Sequence, residues 1–371
     1  MNQRVLIICR APVGGLFRHV HDLVLELAQR GMKVALVCDN GPGDLRFQNA
    51  LPALEQACAL GVHRLPIPRH PHPNDFFSLY RLVKLCRNLD INLIHGHGAK
   101  GGFYARPLGW WLNIPVIYTP HGGVLHYSKK NWDGWLFLTA ERLLLPWTHT
   151  IVFESSFARN EFLRKIGKLS KNAVVVHNGL IEQDFLPPSG SAPAYDFVYC
   201  GELRHLKGVD VLLQAAALIK AQGRPISLAL YGAGPNALSF EKQILALGLT
   251  ETATIHEAVR GACLAYQTGR CVIVPSRHES LPYAVLEAAA FGRPFIATHV
   301  GGIPEVVGSK DSDFLVPADD AKALATAMVD FLDVPLPWEQ RAIHLKERVR
   351  HLFSVKHMTS QLLEVYKSVS K

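Results

Sequence analysis

Cysteine is scarce and unpaired. The seven residues Cys9, Cys38, Cys58, Cys86, Cys200, Cys263 and Cys271 include no Cys-x-x-Cys and leave an odd total. That excludes a disulfide framework and a thiolate metal knuckle, and predicts buried thiols in a reducing compartment. No stretch approaches the roughly 20 apolar residues of a bilayer span. The early run VLIIC is too short for a secretory signal and continues into a strand-turn-helix pattern, so the protein is expected in the cytoplasm with at most peripheral membrane contact. Metal-ligand patterns are missing as well. His95-Gly-His97 and His70-Pro-His72 lack an acidic or thiol partner at a fitting spacing, and Asp311-Ser312-Asp313 reads as turn chemistry ahead of FLVP, so no metal is expected. Acidic residues are the scarcer sign, 31 against 39 Lys and Arg, for a net +8. Such an excess favours an anionic partner, a nucleotide or lipid headgroups. The basic residues are dispersed and form no arm or recognised motif, which argues against nucleic acid.

What the chain does have is a folding composition: 49% hydrophobic against 19% charged residues over 371 positions, enough for two domains of ordinary size. Short β-branched runs alternate with helical ones from VLIIC (5–9) through KVALVC (33–38), NLIHGH (92–97), PVIYTP (115–120), TIVFES (150–155) and AVVVHN (173–178). In LFRHVHDLVLELAQRG, Val20, Leu23, Val24, Leu27 and Ala28 recur at helical spacing and Gly31 ends the helix. The Pro-, Ser- and Gly-rich stretch IEQDFLPPSGSAPAYD reads as a linker. After it the alternation restarts with DFVYCGEL (196–203), VDVLLQAAALIKAQG (209–223), ISLALYG (226–232), CVIVPS (271–276) and PFIATHV (294–300). Alternation of this kind means a parallel sheet with helices on both faces, here twice in tandem. The expected domains are 1–185 and 190–352, with a last helix, about 355–371, that returns to the first domain after a break near Phe353-Ser354. Ligands of such sheets bind at the carboxyl ends of the strands.

Three stretches carry candidate chemistry. In HESLPYAVLEAAAFG, Pro282 and Gly292 bracket a helix over Tyr283–Phe291, which places Glu279 in the loop before it and Glu287 in its second turn. The backbone N–H groups from Ser280 through Leu281 and Pro282 to Tyr283 suit a phosphate, Glu287 could hold a ribose, and Glu279 is left for what lies beyond the phosphates. The plain alternative makes Glu279 a helix cap and Glu287 a solvated charge. In CGELRHLKGVD (200–210), Lys207 can set a point charge on a diphosphate and Arg204 can fork around one. In APVGGLFRHV, Gly14 and Gly15 permit close backbone approach. The segment HYSKKNWDGWLFLTAERLLLPWTH (126–149), with Trp110-Trp111 upstream, has two readings: sheet cover, or an interface with an anionic inner membrane.

Together these stretches resemble the family-4, group 1 glycosyltransferases of the GT-B fold, over nearly the whole chain. The specific part is PSRHESLPYAVLEAAAFGRPFIATHVGGIPEVV (275–307), similar to the family's signature of Glu, seven residues, Glu, then a Gly-Gly-x-Pro-Glu turn. GGLFRHV, HGHGAKGG (95–102), TPHGG (119–123), VVHNG (175–179), GELRHLKGVDVLLQA and YGAGP (231–235) fall in the family's order. The resemblance implies two Rossmann-like doubly wound sheets facing a central cleft. It also implies retaining transfer of a sugar from a nucleotide-sugar, uridine being the base it favours, to a hydroxyl of a lipid-linked, polysaccharide or lipopolysaccharide acceptor, as in bacterial surface glycan synthesis. No cofactor or metal is implied beyond that co-substrate.

By the same resemblance Glu279 faces the donor sugar, Glu287 holds the ribose, Lys207 and a nearby arginine offset the charge of the departing diphosphate, and His97 stands near the reacting sugar. Gly14, Gly15, Gly201, Gly232, Ser280, Leu281 and Pro282 line the donor. His121, which follows a strand and precedes Gly122, either serves the acceptor site or is a satisfied strand-end histidine. Glu305, in the Gly-Gly turn, either lines the sugar pocket or merely follows the turn. The chain departs from the pattern at Glu202, where an arginine is frequent and for which Arg204 would substitute, at Ser280, where glycine is frequent, and in a short HEAVRGACLAYQTG (256–269). A sugar-nucleotide epimerase of the same fold, or a non-catalytic nucleotide-sugar-binding protein, is the alternative.

Overall fold

The structure is a computed structural model that describes residues 3–122, 131–167, 172–186, 192–259, 261–310 and 315–369. The Asp311-Ser312-Asp313 turn, Gly123, Arg260, residues 126–130 of the aromatic segment and 187–191 of the expected linker lie outside those residues. The chain divides into two compact units, Met1–Gly179 with Val355–Lys371, and Leu180–Ser354.

The first unit alternates β1 (Arg4–Cys9), α1 (Gly14–Gln29), β2 (Lys33–Asp39), α2 (Leu45–Ala57), β3 (Val62–Leu65), α3 (Asn74–Asn88), β4 (Leu93–His97), α4 (Gly98–Leu112), β5 (Val116–Thr119), α5 (Trp132–Leu144), β6 (Thr150–Phe153), α6 (Ser156–Ile166) and β7 (Asn172–Val175). Its seven strands are parallel in the order β3-β2-β1-β4-β5-β6-β7. Central strands covered on both faces must be apolar throughout: in β1 every residue from Val5 to Cys9 is fully buried. The order reverses between β1 and β4, where Cys9 pairs with His97, so whatever follows these two strands meets at the carboxyl edge of the sheet.

The second unit repeats the plan with β8 (Tyr195–Cys200), α7 (Val209–Ala221), β9 (Leu228–Tyr231), α8 (Ala237–Ala246), β10 (Ala253–His256), α9 (Ala262–Tyr266), β11 (Gly269–Val274), α10 (Tyr283–Phe291), β12 (Phe295–Thr298), α11 (Ile303–Val307), β13 (Leu315–Val316), α12 (Ala321–Asp333) and α13 (Pro335–Leu352). The six strands are again parallel, β10-β9-β8-β11-β12-β13, with the reversal between β8 and β11. Leu180, just before the expected linker, and Phe185, within its head, are buried in this unit's core. The final helix α14 (Val355–Val369) belongs to the first unit. Arg30, just after α1, reaches the Lys356 carbonyl at 2.8 Å and the Ser360 hydroxyl at 2.9 Å, and the Tyr366 hydroxyl meets His95 Nδ1 at 2.7 Å.

Five of the seven cysteines are buried and two, Cys200 and Cys263, are half-buried. Burial pushes the Cys38 thiol up to about 11 and Cys58 and Cys86 up to about 12, so these thiols stay protonated and inert. Among the described residues no helix is long and apolar enough to cross a membrane.

Candidate active site

In the second unit the two strands at the reversal deliver the chemistry. After β8 the chain runs through Gly201 and Glu202 into a single 3₁₀ turn, His205–Lys207, and after β11 it runs through Pro275 and Ser276 to Glu279. Lys207 Nζ and Glu279 Oε1 are 2.6 Å apart, and the Ser276 hydroxyl donates to the same oxygen at 2.7 Å. The Lys207 side chain keeps 28% of its surface exposed and Glu279 10%, so the ammonium still has an open side from which an anion could approach. Glu279 also helps burial to hold the Tyr199 phenol well above its ordinary range.

The approach of these loops depends on glycine. Gly208 has φ +70°, and a Cβ there would stand 1.8 Å from the Pro275 carbonyl oxygen. A side chain would push the Lys207 turn off the β11 loop. Gly232, one of the expected donor-lining glycines, lies against the Gly201 carbonyl, 1.9 Å from where its own Cβ would be. The Gly201 and Gly232 positions are therefore bound to each other as packing partners. Asn236, on the same turn, steadies the lysine loop by accepting the His205 N–H at 3.1 Å and donating its own N–H to the Leu203 carbonyl at 3.0 Å.

Helix α10 covers Tyr283–Phe291, with Pro282 as its N-cap residue and Gly292 in the left-handed conformation at its end. Pro282, expected at the first helical position, sits one place earlier because its ψ of 131° is extended. No side chain caps this helix, and Glu279 is engaged with Lys207 and Ser276 instead, so the cap alternative is not what the structure shows. Ser280 accepts the Gly302 N–H at its carbonyl at 2.6 Å; Leu281 and Pro282 are buried. Glu287 is half-buried on a helix whose Val285, Leu286 and Ala288–Phe291 are all buried, which is not the setting of a solvated surface charge.

In the first unit the reversal gathers histidines. His97 ends β4, His121 follows β5 with φ +51°, Gly122 comes next with φ +68°, and His19 lies on α1 beyond Gly14 and Gly15. His97 Nδ1 is 2.9 Å from His121 Nε2, and His19 Nδ1 is 3.0 Å from Asn178 Oδ1. His95 lies under them, with Nδ1 on Tyr366 and Nε2 2.9 Å from Thr119 Oγ1. Burial lowers all four below the ordinary histidine range, His19 to about 4 despite its bond to Asn178, and the mutual repulsion of the rings adds to it at His95, His97 and His121. The cluster is thus neutral near pH 7 and offers polar nitrogens rather than charge. Nε2 of His97 and Nε2 of His19 are buried and have no hydrogen-bond partner among the described residues. A buried polar atom left unpaired costs about 1–3 kcal/mol, and a ligand hydroxyl would recover it. Gly14 and Gly15 are exposed at the start of α1, and the Gly14 N–H reaches Asp44 Oδ2 at 3.3 Å.

The first part of the chain, residues 13–183, matches the family model described as Glycosyltransferase Family 4, and residues 194–333 match Glycosyl transferases group 1. A D-inositol 3-phosphate glycosyltransferase from an Arthrobacter species is 31% identical over 357 residues, covering 87% of this chain and 82% of its own. The chain belongs to the group 1, family 4 glycosyltransferases. The gpi3 subunit of the Schizosaccharomyces pombe phosphatidylinositol N-acetylglucosaminyltransferase is 24% identical over 96% of this chain and 78% of its own. In fold, the transferase is similar to Anabaena HepE solved in complex with UDP, with TM-score 0.83 and 17% identity over 99% of this chain and all of that one. Both units are thus Rossmann-like domains of the GT-B type.

The structure leaves Arg204 out of the transferase's ion-pair cluster. Its side chain is exposed and makes no ion pair among the described residues. The arginine that the sequence reading passed over is Arg277, two residues before Glu279. Its Nη1 and Nη2 each lie 2.7 Å from the Asp210 carboxylate, its Nε lies 2.5 Å from Asp319, and its backbone N–H donates to the Leu206 carbonyl at 2.9 Å. The fork holds the Asp210 carboxyl below its usual range against the opposing effect of burial, and it ties the Glu279 loop to the Lys207 loop. Asp210 was visible in the quoted KGVD, but nothing local marks a pairing across 67 positions. His19 was missed for the same reason, since its partner Asn178 lies 159 positions away. Ring nitrogens of His19, His97 and His121 lie within 4.8 Å of one another, a spacing that could admit a metal ion. A search of His-x-His spacing alone could not see this set.

Proposed function

We propose that the transferase is a retaining, metal-independent enzyme that moves a hexosyl group from a UDP-sugar to a hydroxyl of a lipid-linked or polysaccharide acceptor. The observation that carries this reading is the Lys207–Glu279 pair, 2.6 Å apart at the strand reversal of the second sheet. An ammonium with one open side, next to the N-terminus of a nine-residue helix, suits a diphosphate. Glu287 takes the ribose hydroxyls and Glu279 the sugar. In the reaction the bond from the anomeric carbon to the diphosphate oxygen breaks with its electron pair leaving on the diphosphate, and Lys207 offsets the charge that develops there. The acceptor oxygen bonds to the anomeric carbon on the same face, and its proton passes to the departing phosphate. The neutral nitrogens of His97 and His121 hydrogen-bond sugar and acceptor hydroxyls without adding charge.

The relative solved with UDP supports uridine, and the relatives whose names carry phosphatidylinositol or inositol phosphate support a lipid or polyol acceptor. A lipid-linked acceptor would place the enzyme on the cytoplasmic face of a bacterial inner membrane. The test is a thermal-shift panel of UDP, GDP, ADP and their common sugars in chelator, since a ligand of the folded state raises its melting temperature. A shift selective for one uridine sugar is expected. Shifts that need added metal, or none at all, would overturn the reading.

A further inference from the structure

In the first unit, helices α3, α4, α5 and α6 form one layer: α3 packs beside α4, α4 beside α5 and α5 beside α6. Right-handed crossovers that step in one direction along the sheet put them on the same face, while α1 packs with α2 and α14. Among the described residues every exposed large aromatic of the whole chain lies on this layer. Phe76, Phe77 and Tyr80 are on α3 and Trp110 and Trp111 on α4, exposed by 50–80%. Trp132 and Trp135 on α5 are 75% and 58% exposed, and Phe157 on α6 is 37% exposed. Among the described residues, the exposed large hydrophobics of the second unit are Leu, Val and Ile only.

Helix α5 covers the sheet with one stripe and leaves its tryptophans outside it. Gly134, Leu138 and Glu141 take the buried stripe, and Trp132, Trp135 and Leu143 point away from it at helical spacing. The layer is also basic. Arg81, Lys84 and Arg87 on α3, Arg142 on α5 and Arg159 on α6 are exposed, whereas Asp75 and Glu141 are buried against Lys100 and Arg106. Arg81 lies over the Phe77 ring at 4.3 Å and Lys84 over Tyr80 at 4.7 Å. Aromatic rings flanked by cations are what a membrane-water interface selects, the rings at headgroup depth and the cations on anionic lipid. The positive surround favours an anionic bilayer over a second copy of the same basic face, which would repel it.

We propose that the α3–α6 layer docks flat on an anionic lipid surface through these aromatics. This deepens the lipid-linked acceptor reading but stands on the surface alone. The test is flotation of the full chain with phosphatidylcholine vesicles made with and without phosphatidylglycerol, alongside quenching of tryptophan fluorescence by brominated lipid. Trp110, Trp111, Trp132, Trp135 and Trp147 account for all but one of the six tryptophans, and the last, Trp338, is buried in the second unit, so wild-type quenching reports the layer directly. Binding is expected only with the anionic lipid, with strong quenching. The double variant Trp132→Ser, Trp135→Ser should lose about tenfold in binding with its melting temperature and UDP response intact. The double variant Leu238→Ser, Leu245→Ser, on exposed α8 positions, should lose none. Lack of quenching, equal binding to neutral vesicles, or a dimer that the Trp double variant dissociates in the absence of lipid would each overturn the proposal. A failed UDP response with intact flotation would remove the transfer reading and leave the docking surface standing.

Discussion

The two units share one topology and spend it on different chemistry. At the strand reversal of the first sheet stand four neutral histidines, three buried and His121 half-buried; at the reversal of the second stand an ammonium and a carboxylate 2.6 Å apart. The first unit holds 24 Lys and Arg against 12 Asp and Glu, the second 15 against 19, so the modest total of +8 conceals two domains of opposite sign. The fold therefore fixes where ligands go, at the carboxyl ends of the strands, and only the loop residues fix what is bound there. A doubly wound sheet with a charge pair suits a departing anion. One with neutral donors and acceptors suits hydroxyls.

The largest test of this contrast concerns how each unit keeps its charges. In the first, Arg106 and Glu141 are buried together at 2.8 Å, with the Tyr118 hydroxyl also donating to Glu141 at 2.8 Å. Arg106→Met should cost about 3–5 kcal/mol, because it strands a buried carboxylate; chemical denaturation measures it. The catalytic contrast comes next. Lys207→Ala should lower kcat about 10²–10³-fold, the range for losing a group that stabilises developing charge, with a smaller change in donor KM. Initial-rate kinetics check the split, and unchanged turnover would take Lys207 out of the reaction.

The histidine cluster predicts a pH signature of the first unit. The folded state holds these rings unprotonated while the unfolded chain takes up protons from about pH 6.5 downward. The unfolded state then binds more protons, so stability is full above that pH and falls as pH drops through 6.5 toward 4. Each ring contributes a slope of at most about 1.4 kcal/mol per pH unit. Melting temperatures across that window test it, and a flat profile would mean that the rings are protonated in place. At the small end, Arg224 pairs with Asp333 on the second unit's surface, both partly exposed. Arg224→Ala should leave the melting temperature nearly unchanged, and the difference should vanish in high salt.

Most of the architecture was legible because central parallel strands are continuous apolar runs. Ten were named within a few residues of their observed bounds, and the strand in 226–232 and the helix over Tyr283–Phe291 are typical. The three that were not, β3, β10 and β13, all lie at sheet edges. Their residues VHRL, ATIH and LV are half-exposed or too few to make an apolar signal, and only pairing to a neighbour makes them strands. The candidate site divides in the same way. Glu279, Glu287 and Lys207 stood in local patterns with a family precedent. Arg277 and His19 act through partners far along the chain, and Arg204, read as standing two residues beyond Glu202 on the same side of an extended strand, lies exposed at the entry to a 3₁₀ turn.

The central claim, that the second unit's cluster holds the nucleotide while the first unit's histidines serve hydroxyls, is tested most directly by calorimetric titration of UDP in chelator. Wild type, Glu287→Ala and His97→Ala would be compared. The account predicts that UDP binds wild type and His97→Ala alike and that Glu287→Ala weakens it by about tenfold or more, or about 1.4 kcal/mol. UDP binding that survives in Glu287→Ala and is lost in His97→Ala would contradict it.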